Sequence, residues 1–178
     1  MSRLRGITLL LAASLGLPAC SSDEGEVDRQ YLDNLVAYGV LDTTWFLFNQ
    51  NLAGKPTGTQ DLVLACPLGG MVHITGQTSV DDSTAINSVD LTYTMIGCAN
   101  AGTDYDLVLN GEIHSTGTFR STGYKALTEQ SSNLHWSGSV GEGDEPVDET
   151  CAYSVNEQSG DFETGHVTGE LCGRSIEF

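Results

Sequence analysis

Val89-Asp90-Leu91-Thr92-Tyr93-Thr94-Met95 alternates apolar and polar side chains. Successive side chains of a strand point to opposite faces, so this period of two describes a strand with one face buried and one wet. The same alternation recurs at Leu62, Leu64 and Cys66, at Val72 and Ile74, and at Leu107, Leu109 and Ile113. It returns at Leu134 and Trp136, at Tyr153 and Val155, and at Val167 and Leu171. Turn-forming stretches at 67–70, 81–83, 100–104, 121–123, 141–146 and 158–161 separate these runs. Short alternating segments at this density predict an antiparallel sheet of about eight strands. Gly76, Gly111, Gly138 and Gly169 fall inside the strands, where glycine permits bulges and curvature.

Upstream the period changes. Tyr31, Leu32, Leu35 and Val36 follow the spacing of an amphipathic helix. Beyond Gly39 the chain is apolar on nearly every side through Val40, Trp45, Phe46, Leu47 and Phe48. That stretch suits a continuing helix or a buried second one, and residues 43–48 also suit a strand. Gly54-Lys55-Pro56 ends either element. The fold class expected is α+β: an N-terminal helical segment packed against a curved antiparallel sheet, with an all-β sandwich or barrel as the alternative.

The first residues carry a different message. Arg3 and Arg5 precede an apolar run from Ile7 to Leu17, the charge and hydropathy pattern of a secretory signal. The run is too short for a membrane span, which needs about 20 residues. Leu17-Pro18-Ala19-Cys20 resembles the lipobox of bacterial lipoproteins. The resemblance implies cleavage after Ala19, a diacylglyceryl thioether on Cys20 and acylation of the new amino terminus. Two or more chains then anchor the protein stably, each buried methylene contributing roughly 0.8 kcal/mol. Ser21 after the cysteine resembles the outer-membrane default of the enterobacterial sorting rule. Residues 20–30 are polar and acidic and read as a flexible tether. Residues 31–178 read as one β-rich globular domain.

Removing Arg3 and Arg5 with the signal takes the net charge from −17 to −19. So acidic a surface repels phosphate backbones and anionic headgroups, which argues against nucleic acid as a partner and holds the domain off the bilayer. With Cys20 committed to lipid, Cys66, Cys98, Cys151 and Cys172 remain, an even number in an exported domain. Three connectivities are open. Closing each pair across a hairpin favours Cys66 with Cys98 and Cys151 with Cys172, although the alternation slips by one residue near Cys98 and Cys172.

All four histidines stand in one local pattern, His-x-[Ser/Thr]-Gly, at His73, His114, His135 and His166. The intervening or preceding apolar residue turns each imidazole away from the core. A shared outer face would make these four candidate ligands for a divalent transition metal. The simpler reading is a repeated strand pattern in which histidine is merely tolerated. Carboxylates gather at Asp81-Asp82 and through 142–149 without the spacing of a calcium loop. No nucleophile elbow, zinc-protease helix, phosphate loop or dinucleotide fingerprint occurs, so neither enzymatic activity nor a cofactor is expected.

The Cys66-Pro67 pair, the paired glycines and Cys172-Gly173 near the end resemble small uncharacterised lipoproteins of delta-class bacteria, myxobacteria among them. The function expected is that of a non-catalytic envelope protein, presenting an acidic, disulfide-braced domain to a protein partner in an outer-membrane or periplasmic assembly. A carrier of a lipid or other apolar ligand is the alternative, and metal binding through the histidines is a third.

Overall fold

The computed structural model describes residues 28–120, 123, 125–160 and 165–178. The signal, Cys20 and most of the acidic tether therefore lie outside the described residues. Helix α1 spans Arg29–Asn51, and the Asp28 carboxylate caps it by accepting from the Gln30 amide at 3.0 Å. Arg29 and Gln30, read as tether in the sequence, are its first turn.

The stretch beyond Gly39 continues this one helix. A buried segment must pair its own backbone polar groups, and a helix does so internally. Thr43 and Thr44, both buried, return their hydroxyls to the carbonyls of Gly39 and Leu41 at 2.7 and 2.9 Å. Gly39 marks a close approach to the sheet: a Cβ there would lie 2.7 Å from the Leu107 side chain.

Eight strands follow: β1 Gly58–Ala65, β2 Gly69–Asp81, β3 Ile86–Ala101, β4 Tyr105–Phe119, β5 Lys125–Val140, β6 Glu145–Ser159, β7 His166–Leu171 and β8 Arg174–Glu177. Each pairs antiparallel with its successor, and the sheet is open, with β1 and β8 at its edges. Neither the sandwich nor the closed barrel applies, and the α+β expectation holds. Helix α1 covers one face, where Val36, Val40 and Leu47 meet Leu91, Leu107, Leu109, Ile113 and Trp136. The other face is referred to below as the outer face.

The glycines divide into two kinds. Register shifts fall between Gly69 and Met71, Met95 and Cys98, Asn110 and His114, and Ser131 and Leu134. Gly111 thus sits at an irregularity, as expected. Gly76, Gly138 and Gly169 instead lie in unbroken ladders. At Gly138, φ is +143° and a Cβ would fall 1.9 Å from the Asp106 carbonyl oxygen. Close approach of the next backbone, rather than an inserted residue, requires glycine there.

Both disulfides join sequence neighbours, Cys66 to Cys98 and Cys151 to Cys172, with Cα separations of 5.3 and 5.1 Å. The slips in alternation have local causes. Gly97, at φ +58°, lies in the irregularity before Cys98, and Cys172 itself adopts φ +54° at the β7–β8 turn.

Candidate functional site

The sheet meander sends the β2–β3 corner and the ends of β4 and β5 to one end of the molecule. The last turns of α1 arrive at the same end, and a cleft of about 710 Å³ opens between them. Three aromatic rings form its apolar wall. Trp45 stacks on Phe48 at 5.7 Å and 11°, and Phe119 meets both edge-on at 5.2 and 5.1 Å. Leu52, Val80 and Val89 extend the wall.

The charge of this cleft is opposite to that of the molecule. Lys55, Arg120 and Lys125 line it, and no aspartate or glutamate does among the described residues. Lys125 lies over the Trp45 ring at 4.5 Å and pairs with Glu157 at 2.6 Å. The other two described cations, Arg29 and Arg174, work at the far end of α1. There Arg174 binds Asp33 at 2.6 Å and Glu149 at 3.0 Å, and Arg29 reaches Asp33 at 3.2 Å. The Arg174 guanidinium holds the Glu149 carboxyl below its ordinary range, and its own pKa is raised by hydrogen bonds to Asp33 and Glu149. This cluster clips the start of the helix to β6 and β8.

Beneath the aromatic wall lies Glu129, fully enclosed on the covered face. Burial pushes its carboxyl up to about 7, against hydrogen bonds from Thr44 and Tyr153 that act the other way. Geometry supports a protonated group. Thr44 has one hydroxyl proton and two oxygens in reach, Leu41 O at 2.9 Å and Glu129 Oε1 at 2.6 Å. If Glu129 donates to Thr44 and Thr44 to Leu41, both contacts are satisfied. Tyr93 and Tyr153 are buried beside it, and desolvation raises both phenols above their ordinary range.

The four histidines occupy the outer face but do not converge. Each pairs with a carboxylate on an adjacent strand: His73 with Asp61 at 2.7 Å, His114 with Asp90 at 2.8 Å, His135 with Asp148 at 3.1 Å and His166 with Glu177 at 3.6 Å. The registers explain the repetition. In every case the carboxylate lies directly opposite the Ser or Thr of His-x-[Ser/Thr]-Gly: Asp61 opposite Thr75, Asp90 opposite Thr116, Asp148 opposite Ser137, Glu177 opposite Thr168. The motif is thus half of a two-strand unit, with a diagonal His–carboxylate pair outside and a close-packed glycine inside. Among the described residues no three of His, Cys, Asp and Glu form a metal-holding group.

A second surface lies at the β1 edge. Val63, Leu68, Met71 and Ile96 are exposed, and Ala65, Met71 and Ile96 are register neighbours across β1, β2 and β3. Sequence reasoning passed over both this surface and the cleft. The cleft had a signal in the scarcity of cations: Lys55 sits in the helix stop, and Arg120 and Lys125 flank one turn. An alternating meander sends that turn and the 81–83 turn to the same end.

Compared with protein-family models, curated proteins and solved structures, the chain gives no match.

Proposed function

We infer that this chain is a lipid-anchored binding protein of the bacterial envelope whose cleft, under the last turns of α1, takes an apolar small molecule. The observation that carries the reading is the cleft itself. Its volume of about 710 Å³ falls in the range of small-molecule sites, and it sets an aromatic wall against polar side chains from α1 and the strand ends. A domain that only presented a rigid surface would have no use for an open apolar cavity beside its helix. The anchor half rests on the lipobox at Leu17–Cys20 and on the outer-membrane character of Ser21. No helix among the described residues is long and apolar enough to cross a membrane.

Binding of N-phenyl-1-naphthylamine, a neutral fluorescent probe, tests the cleft. Wild type should bind it at micromolar concentrations. Val80→Asp, which puts a carboxylate on the apolar wall at a half-exposed position, should weaken binding by about tenfold. Equal binding by both proteins overturns the reading. Incorporation of a palmitate analogue should occur in wild type and vanish in Cys20→Ala; an unlabelled wild type removes the anchor.

The β1 edge favours a second reading, docking of an envelope protein. Edge strands offer unpaired backbone groups, and here exposed Val63 on β1 stands near exposed Leu68, Met71 and Ile96, with Asp61 the one charge on the strand. Crosslinking from position 63 in intact cells should trap a partner and Ile96→Lys should abolish it; capture unchanged by Ile96→Lys would exclude this surface.

A further inference from the structure

We propose that the cleft is selective for an amphiphile with an anionic headgroup, an alkyl chain ending in a negative charge. This deepens the cleft reading and rests on it.

The argument is one of sign. The chain carries 24 acidic residues against 7 Lys and Arg. Three of the five described cations nevertheless line one cleft, and no described carboxylate lines it. The helix end helps to place these cations. The cleft receives the C-terminal end of α1, whose unpaired carbonyls carry partial negative charge and attract cations. The cationic side chains at the rim therefore set the sign of the cleft against that of the molecule. Lys125 is held in place by Trp45 and Glu157, so its ammonium stands where the aromatic wall meets the rim. Lys55, exposed just after the helix, adds a second ammonium. A neutral ligand would use the aromatic wall alone and gain nothing from the ammonium groups at the rim. An amphipathic anion would use both, its alkyl chain against Trp45, Phe48 and Phe119 and its headgroup at the ammonium groups. The surrounding negative field would turn away anions that lack an apolar part and cannot reach the wall.

The test is displacement of N-phenyl-1-naphthylamine from the purified full chain by submicellar dodecanoate, dodecanol and dodecyltrimethylammonium at neutral pH. Dodecanoate should displace the probe about tenfold more effectively than dodecanol, and the cationic amphiphile should be weakest. Added salt should weaken dodecanoate alone. Lys55→Glu, an exposed change that leaves the core untouched, should cost dodecanoate about tenfold and leave dodecanol within about twofold. The double variant Lys55→Gln/Lys125→Gln should abolish the preference, with a thermal melt confirming the fold. If the probe binds but dodecanoate and dodecanol compete equally, or dodecanoate is indifferent to Lys55→Glu, the anion selectivity is overturned and the apolar cleft stands. If the probe does not bind, both fall.

Discussion

Glu129 shares the inward parity of Leu127 on β5, opposite to that of Leu134 and Trp136 because the register slips between Ser131 and Leu134, so neither its burial nor its protonation was legible in the alternation. A carboxyl at that position needs hydroxyls from Thr44 on the helix and Tyr153 on the next strand, and nothing local in the sequence brings these together. Its folded pKa, about 7, lies above the ordinary 4.5. Folding therefore favours the protonated form, and the site costs stability once pH rises from about 4.5 through 7. Glu129→Gln should be near neutral at pH 5 and stabilising at pH 8, by roughly 3 kcal/mol, in urea denaturation. An equal effect at both pH values would contradict a protonated Glu129. Glu149 works in the other direction, its depressed carboxyl contributing stability that is lost as pH falls. Of these two groups, one loses stability above about pH 4.5 and the other below it, so together they favour a stability maximum near pH 4.5. Asp33 is the other enclosed carboxylate, with its side chain 4% exposed. Arg174→Met removes its closest partner and should cost about 2–3 kcal/mol, and Asp33→Leu in the same chain should recover most of that loss. No gain in the double variant would show that the pair is not coupled.

At the scale of the element, the strands were readable because burial on one face imposes a period of two, and the slips near Cys98 and Cys172 marked real irregularities. The glycines were harder. A sequence does not distinguish a glycine that admits an extra residue from one pressed against the neighbouring carbonyl, since both occur inside strands. Gly138→Ala is expected to cost about 2–4 kcal/mol, read from a denaturant midpoint, because both φ and the Asp106 carbonyl oppose a side chain. A loss below 0.5 kcal/mol, the ordinary range for a neutral change, would count against that account. The hairpin disulfide Cys66–Cys98 closes a separation of 32 residues. Its removal by Cys66→Ala/Cys98→Ala should cost about 3–4 kcal/mol through the freed unfolded chain. The histidine motif was visible as a repeat, but its meaning lay on other strands. Only the registers show each histidine answering its own carboxylate, exposed pairs that contribute little to stability and are screened by salt.

For the whole molecule, strand pairing follows chain order without exception, which is why composition and turn positions went so far toward the architecture. The cleft was hidden because it belongs to no single element: it forms where a helix end, two sheet corners and three cations meet. Helix α1 also sets a distance. Its 23 residues measure about 35 Å from end to end. The capped end is the one that follows the proposed anchor in sequence, and the cleft lies at the other. A molecule tied down at residue 20 would carry its binding mouth a full helix length from the end at which the tether enters the domain. That separation frees the mouth from the attachment point, so the two ends of one helix serve two tasks.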